Sequence, residues 1–574
     1  MTQPKPFFSK KFRAFGSAIV SVFSIAFILG STPFAFAQDP SHTVYYLHGR
    51  IYTNDPANPW ADAMSIRDGK IQCVGKISYV ILDCGGGVAG AETIELKGKF
   101  VMPGFNDAHV HMGAAADHML SVNLYGAASI EELQKRLADA VAAHKAGEWI
   151  TGAGWDHTLW ADKKFPNRKQ LDAVSPKNPV ILKHVSGHVA VANSLALEHA
   201  EIDKNTPNPP GGQIEHDANG EPTGMLEEGS AIDLAMQRVP DPTEERRRRS
   251  IEMVLADLAK NGVTSVQDNS DWQDFLAYTQ LKQEGKLTVR ITEWLPFTAS
   301  LHDLQNMRGE GGTTDPWLRT GALKMVTDGA LGSRTAVMLA PYSDDPSVSG
   351  ILIMEPDKLR QMAIERDKAG FQLNFHAIGD RANRVSLEVF EAVAKANGPR
   401  DRRDRVEHAQ VLAPEDIPRF AKLGVIASMQ PSHQTTDMRW ANERIGDRIR
   451  GAYAWNSLLK SGARLAFGTD YPVEVISPFR GLYACVTREL PEGGPRLGWQ
   501  PQEKISLGEC INAYTSGSAY AQFEEGRKGE LKAGEYADFI ILSQDLTKIS
   551  PSDFVKTQVL RTVVGGRTVY FKPQ

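Results

Sequence analysis

Two histidines stand two residues apart in the stretch Val101-Met-Pro-Gly-Phe-Asn-Asp-Ala-His109-Val-His111. On a β-strand, residues i and i+2 point to the same side, so His109 and His111 can present two imidazoles to one point. Neutral imidazole is a common ligand for zinc and related metals. The spacing therefore indicates a metal site. Two unrelated surface histidines remain the alternative as long as the pair is considered alone.

Four later stretches have the same form, an apolar run that ends in a residue able to serve a metal site. Each run is typical of a buried parallel strand. In a (β/α)8 barrel the carboxyl ends of the strands converge on one site, and residues there are typically catalytic. The sequence thus predicts an α/β fold with a (β/α)8 TIM-like barrel. The predicted ligand set is His109, His111, Lys324, His376, His408 and Asp470.

These segments resemble the amidohydrolase superfamily of metal-dependent hydrolases, in particular its amidohydrolase 3 branch, which includes N-substituted formamide deformylase-like proteins. The likeness covers nearly everything after residue 42. The segments that carry it are Pro103-Gly-Phe-Asn-Asp-Ala-His-Val-His111, Ser186-Gly-His-Val-Ala-Val-Ala-Asn193, Lys324-Met-Val-Thr-Asp-Gly-Ala-Leu-Gly-Ser333, His376-Ala-Ile-Gly-Asp380, Glu407-His408-Ala-Gln410, Gly468-Thr-Asp470 and Gly534-Glu-Tyr-Ala-Asp-Phe-Ile-Ile-Leu542.

The six residues can be divided between two divalent metal ions, for which zinc is the expected element. His109, His111 and Asp470 can hold one ion, and the histidines at 376 and 408 can hold the second. A lysine cation has no lone pair to offer a metal. Burial of Lys324 should lower its amine pKa, and the neutral amine can then add carbon dioxide to give a carbamate. The resemblance implies this carboxylated, metal-bridging lysine. A salt bridge between Lys324 and Asp328 is the alternative, and it would favour a mononuclear site.

The ligand set predicts metal-assisted hydrolysis of a small molecule. Metal ions lower the pKa of a bound water and so supply hydroxide near neutral pH. Asp470 would act as the general base and pass the proton to the leaving amine. The predicted function is an exported hydrolase that cleaves a non-peptide C–N bond, of the amide or N-substituted formamide type. A catalytically inactive binding protein of the same fold and a mononuclear deaminase or esterase remain alternatives.

Four further residues are candidates for contact with the substrate. His188 matches a family segment near the site and could bind substrate or stabilise the oxyanion, although a loop or core histidine is an equal alternative. Trp155, in Gly152-Ala-Gly-Trp155-Asp156, could line the pocket or simply pack in a core. Asp328 and Arg381 follow ligand strands and could orient ligands or substrate.

Composition excludes some classes of function. The chain has 574 residues and a net charge of -5, with no basic block long enough to indicate nucleic-acid binding. The run Arg246-Arg-Arg-Arg249 lies in a helical pattern among glutamates, which indicates a solvated helix face. We therefore expect no nucleic-acid partner. The sequence leaves open whether the protein forms a homo-oligomer.

Residues 1–37 have the pattern of a secretory signal peptide. Lys5, Lys10, Lys11 and Arg13 precede an uncharged apolar stretch, and Ala35-Phe-Ala37 provides a small-x-small cleavage site. A membrane anchor is the alternative, but an apolar run of about sixteen residues is short for a bilayer span. We predict an exported protein, periplasmic or secreted, with no stable membrane anchor after cleavage.

The chain divides into a barrel and a second, composite unit. Residues 43–100 and 526–574 both read as β-structure, with hairpin signals at Asp68-Gly69 and Gly565-Gly566. They predict one small β-sandwich built from both termini, beside a barrel over 101–525. A Pro- and Gly-rich insertion at about 150–240 is expected to contribute to the substrate pocket. Cys73 and Cys84 are close enough in sequence to pair, and an oxidising compartment would permit this.

Overall fold

The computed structural model describes residues 43–84, 91–184, 189–209 and 212–573. Eight parallel strands form one sheet in which every strand pairs with its neighbours in chain order. The sheet closes between its first and last strands through a parallel bridge from Val110 to Tyr471. The strands are β1 (Phe105–Val110), β2 (Val263–Asp268), β3 (Arg290–Pro296), β4 (Leu318–Val326), β5 (Leu373–Ala377), β6 (Arg405–His408), β7 (Ile426–Met429) and β8 (Arg464–Phe467). The predicted α/β barrel is confirmed.

Helices follow the barrel strands and cover them. The helix Glu244–Lys260 is typical: the Thr243 side chain caps its first turn, and its apolar residues recur at helical spacing on the buried face. Its arginine run pairs with carboxylates, for example Arg248 with Glu284 at 2.7 Å, as a solvated helix face should. The barrel helices are Met112–Leu120, Glu244–Lys260, Trp272–Gln283, Leu301–Gly311, Pro356–Lys368, Asp380–Asn397, Ile417–Leu423, Pro431–Asp437, Ala441–Ile445, Trp455–Lys460, Pro478–Thr487, Leu507–Ala513 and Ser516–Tyr520.

Two further sheets flank the barrel and share one apolar core. One contains Val44–Leu47, Ala63–Arg67, Lys70–Gly75 and Glu92–Glu95, and the other contains Arg50–Tyr52, Trp60–Ala61, Phe100–Pro103, Phe539–Leu542, Val559–Val564 and Arg567–Phe571. In the second sheet, strands from the two ends of the chain pair side by side. Tyr46 of one sheet packs edge-on against Phe539 of the other, with ring centroids 5.0 Å apart. The composite sandwich is therefore present, and both predicted hairpins form.

The insertion is a six-stranded sheet with its own helices between β1 and β2. Its strands are Val122–Asn123, Ile150–Trp155, Val180–His184, Val189–Ala192, Gln213–His216 and Pro222–Glu227, and its helices are Ile130–Ala143, Arg168–Asp172, Ser194–His199 and Glu228–Met236. The sheet includes Val122–Asn123, so the inserted unit begins before residue 150. The helix Ile130–Ala143 belongs to this insertion, because the strand that follows it pairs with Val122–Asn123 and Val180–His184.

All four cysteines are paired. Cys73 bonds to Cys84, as the sequence allowed, and Cys485 bonds to Cys510, a pair that the sequence did not indicate. No helix in the described part of the chain has the length and apolar character needed to cross a membrane. The predicted signal peptide, residues 1–37, lies outside the described residues.

Candidate active site

The six predicted ligand residues meet at the carboxyl end of the barrel. They stand at the ends of β1, β4, β5, β6 and β8. His109 Nε2 and His111 Nε2 lie 3.6 and 3.1 Å from Asp470 Oδ1, and Lys324 Nζ lies 3.2 Å from His109 Nε2. The rings of His376 and His408 are 4.5 Å apart, and the His408 ring is 5.0 Å from that of His109. One compact cluster of donors therefore contains all six.

His109 in β1 and His111 just after it each donate one ring N–H outward, away from the cluster. His109 Nδ1 donates to Glu407 Oε2 at 2.7 Å, and both side chains are buried. His111 Nδ1 donates to the carbonyl oxygen of Asn269 at 3.1 Å. These acceptors fix the tautomer, so each Nε2 keeps its lone pair and faces Asp470. Ring nitrogens held in this way are typical of metal-binding histidines.

His408 and His376 also each donate one ring N–H to an acceptor, which leaves the other ring nitrogen unprotonated. His408 Nδ1 donates to Gln430 Oε1 at 2.7 Å, which leaves Nε2 with its lone pair. His376 Nε2 donates to the carbonyl oxygen of Gly329 at 3.2 Å, which leaves Nδ1 with its lone pair. All four imidazoles therefore have one nitrogen available as a ligand.

Burial keeps three of these imidazoles neutral, those of His109, His376 and His408. Burial, reinforced by the charge of Lys324, lowers the pKa of His109 well below its usual value and that of His376 to about 4. Burial, with His376 beside it, also lowers the pKa of His408 well below the usual range. A neutral imidazole is the form that binds a metal. These three histidines are thus in the ligand-competent state at neutral pH.

Asp470 provides the negative charge of the cluster. Burial alone would raise its pKa, but His109, His111 and His433 hold the pKa well below its usual value. Its Oδ1 is buried and accepts no hydrogen bond within the described part of the chain. A buried, ionised oxygen beside imidazole nitrogens that keep their lone pairs suits a divalent cation. The donor set therefore fits a metal centre of the N/O type.

The segment that follows β8 packs closely against β1, and this packing places Asp470 in the cluster. A Cβ on Gly468 would lie 2.5 Å from the backbone nitrogen of His109, so only glycine allows this contact. The Thr469 hydroxyl donates to Asp107 Oδ2 at 2.6 Å, and the Thr469 backbone N–H donates to Asp107 Oδ1 at 2.8 Å. Asp470 then adopts a left-handed backbone (φ 60°), a conformation that costs of order 1–3 kcal/mol and is found at functional sites. In the Gly-Thr-Asp segment, Gly468 thus allows the close approach, Thr469 bonds to Asp107, and Asp470 enters the cluster.

Lys324 lies beside the imidazoles and not beside Asp328. Burial lowers its pKa to about 8, although Glu407 and Asp470 oppose the shift. The face of Trp294 lies 5.0 Å from Lys324 Nζ. Asp328 accepts backbone N–H groups from Val337, Ile378 and Gly379 at 2.8, 3.0 and 2.9 Å. The alternative of a Lys324–Asp328 salt bridge therefore does not describe this structure.

The four predicted substrate-contact residues have different environments. Trp155 is fully buried in the core of the insertion, and its Nε1 donates to the carbonyl oxygen of Leu182 at 2.9 Å, so packing explains it. Asp328 is also fully buried and holds the backbone after β4 against the end of β5. Arg381 is exposed in the first turn of the helix Asp380–Asn397. His188 lies outside the described residues.

Two residues at the site, Glu407 and His433, were not identified from the sequence. Glu407 should have pointed away from the ligands, because it is adjacent to His408 on β6. The left-handed backbone of His408 (φ 72°) breaks that alternation, so both residues reach the cluster. His433 Nε2 lies 3.3 Å from Asp470 Oδ2. The strand before its helix, β7, is followed directly by the polar Gln430, and that signal could have identified this region.

Glu407→Gln should weaken metal binding because it removes the charged acceptor that orients His109. We expect metal affinity to fall by about 10–100-fold, the usual effect of losing such a partner. Competition with a chromogenic chelator would measure it. Glu503→Gln is the matched control, since Glu503 is buried and accepts hydrogen bonds from Ser457 away from the site. Equal affinities in the two variants would contradict the assigned role.

Comparison with known proteins agrees with the fold. Residues 92–570 match the model of the amidohydrolase family. Protein LONG AFTER FAR-RED 3 of Arabidopsis thaliana is 37% identical over 538 residues, which cover 91% of this chain and 91% of that protein. N-substituted formamide deformylase of Arthrobacter pascens is 28% identical, with 91% and 97% covered. A metal-dependent hydrolase structure from Pyrococcus horikoshii OT3 aligns with a TM-score of 0.75 and 30% identity over 89% of this chain and 99% of that one.

The chain belongs to the amidohydrolase family. It is a metal-dependent hydrolase that acts on carbon–nitrogen bonds. The cluster at the carboxyl end of the barrel is its candidate active site, because it holds the donor set that such chemistry requires.

Proposed function

We propose that the protein hydrolyses the C–N bond of a small amide of the N-substituted formamide type. The observation that carries this proposal is the convergence of four oriented imidazoles with Asp470 and Lys324. The similarity to N-substituted formamide deformylase supports this bond type. Two apolar side chains near the ligands, Val326 and Val473, are 43% and 67% exposed. They favour a substrate whose nitrogen carries an apolar substituent.

We propose that the site holds two divalent metal ions, with zinc as the expected element. His109, His111 and Asp470 would hold one ion, and His376 and His408 the other. Bound metal supplies Lewis-acid activation of water and of the substrate carbonyl. The carboxylate of Asp470 takes the proton of the attacking water and returns it to the nitrogen of the leaving amine.

We further propose that Lys324 is carboxylated and bridges the two ions. Its amine is buried, has a pKa lowered to about 8 and stands 3.2 Å from a ligand nitrogen. The lone pair of neutral Nζ forms a bond to the carbon of carbon dioxide, the electrons of one C=O π bond move onto its oxygen, and Nζ gives one proton to water. The product is a carbamate anion, which replaces a poor ligand with an oxygen donor.

Export is also part of the proposal. The pattern of residues 1–37 supports cleavage after Ala37, and disulfides are a feature of oxidising compartments. The mature chain should begin at Gln38 and carry no membrane anchor. Intact-mass measurement of protein from the native host would test this, and a chain that still contains residues 1–37 would refute it.

Metal content is the decisive test of the site. Mature protein purified without chelator or metal-affinity tag should contain close to two metal equivalents. It should release formate or a short acid from a panel of N-formyl and N-acyl amines. About one equivalent would refute the bridged pair and favour a mononuclear enzyme. No metal, with no activity on these amines after addition of metal and bicarbonate, would refute both the proposed metal pair and the proposed substrate class.

A further inference from the structure

The insertion contains a second group of metal-ligating side chains, separate from the barrel cluster. Asp156, His157 and His184 each offer one ligand atom, and the three atoms lie within 4.8 Å of one another. The strands Ile150–Trp155 and Val180–His184 are parallel neighbours. All three residues stand at or just beyond the carboxyl ends of these strands, so the insertion sheet gathers donors in the same way as the barrel does.

A β-bulge orients two of these donor residues, Asp156 and His157. Ala153 pairs with Lys183 and Trp155 pairs with His184, so one extra residue, Gly154, stands between the two pairs. Gly154 has φ +98°, and a Cβ there would lie 2.4 Å from the ring of Tyr125. Such bulges re-aim side chains and are frequent beside functional sites. Here the bulge turns the chain so that Asp156 and His157 face the end of the neighbouring strand.

The geometry suits a small cation. His184 Nε2 lies 3.8 Å from Asp156 Oδ1, and two donors on one tetrahedral zinc ion are about 3.3 Å apart for bonds of 2.0–2.1 Å. The rings of His157 and His184 are 5.5 Å apart. His157 Nδ1 is buried and has no hydrogen-bond partner among the described residues.

The surroundings hold the donors in place. Trp155, fully buried, packs edge-on against the His184 ring at 4.6 Å. Phe165 packs against the His157 ring at 4.1 Å. Asp156 and His184 remain partly exposed, with side chains 24% and 12% accessible. An apolar wall on one side and solvent access on the other are what a metal needs if it is to keep an open coordination position.

We propose that Asp156, His157 and His184 form a binding site for a divalent transition metal such as Zn²⁺. Two histidines and one carboxylate are the donors of open zinc sites, in which a fourth position takes water or a ligand atom of a small molecule. The site lies in the insertion that follows β1. It is additional to the ions that the barrel cluster would hold.

Zn²⁺ binding to the full chain tests the site. Wild-type protein should bind one more tight equivalent than His157→Ala, His184→Ala or Asp156→Asn, while the remaining equivalents stay unchanged. Asp156→Asn preserves the side-chain shape and so covers the case in which a histidine variant folds poorly. If Asp156→Asn still binds this ion, chelator competition should show at least about a tenfold loss of affinity, because a ligand carboxylate has become a neutral amide. Co²⁺ absorption gives an independent reading of the same difference.

The control is His216→Ala, which removes another partly buried histidine of the insertion sheet, on the strand Gln213–His216. This variant should bind as many equivalents as the wild type. Equal stoichiometry and equal affinity in all four variants would overturn the proposal. The result is independent of the barrel site, because the difference of one equivalent holds whether the barrel binds two ions, one or none.

Discussion

Asp470→Asn is expected to lower kcat by at least about a hundredfold, the low end for general acid–base catalysis. Asparagine keeps the shape and one oxygen donor, but its amide cannot accept the proton of the attacking water. It also removes the charge that His433 and the β1 imidazoles face at 3.1–3.6 Å. Turnover of an N-formyl amine, normalised to the metal content of each preparation, would measure the loss.

The control for this variant is Asp404→Asn. Asp404 is buried and accepts the backbone N–H of Leu373 at 3.0 Å, but it precedes β6 and so lies at the opposite end of the strand from His408. It should keep near-normal kcat once folded. If Asp470→Asn turned over substrate at the wild-type rate with full metal content, the general-base assignment would be wrong.

Arg405→Met is expected to destabilise the folded protein by about 3–5 kcal/mol, the usual cost of removing one partner of a buried ion pair. Arg405 is buried, and its Nε donates to Glu407 Oε1 at 2.9 Å. It also donates to the Ala108 carbonyl at 2.9 Å and the Ser428 hydroxyl at 2.8 Å. Without it, the carboxylate of Glu407 would remain buried with no cation bonded to it. Denaturant unfolding would measure the loss as a lower midpoint.

Arg439→Met is the matched control for Arg405→Met. Arg439 also pairs with a glutamate, Glu492, but the two side chains are 52% and 56% exposed. An exposed pair contributes only about 0–1 kcal/mol, so its unfolding midpoint should hardly move. Similar midpoints for the two variants would show that the Arg405–Glu407 pair does not support β6.

The interior ion pair also explains how the site is held together. Glu407 binds Arg405 through one oxygen and His109 through the other, so a single carboxylate joins β6 to β1. The residues that orient the ligands come from strands other than those that carry them. The geometry of the centre therefore depends on closure of the whole barrel.

The ligand residues and the hairpin could be predicted from the sequence because short-range sequence patterns indicate them. A period of two placed His109 and His111 on one side of a strand, and apolar runs located Lys324, His376, His408 and Asp470 at strand ends. The hairpin at Asp68-Gly69 followed from turn chemistry, since both residues adopt positive φ there. In each of these cases a few neighbouring residues determine the outcome.

Other features were decided by tertiary structure alone. Arg405 and Glu407 lie on one face of β6, and the left-handed backbone of His408 ends the alternation so that His408 reaches the same cluster. His433 reaches Asp470 from a helix that follows another strand, and the Cys485–Cys510 pair depends on how two helices pack. The insertion begins before residue 150 because Val122–Asn123 pairs with a later strand. The sequence by itself determined which residues could be ligands, since that is a matter of residue type and short-range spacing. Only the closed barrel decided which groups orient them, because those contacts join residues far apart in the chain.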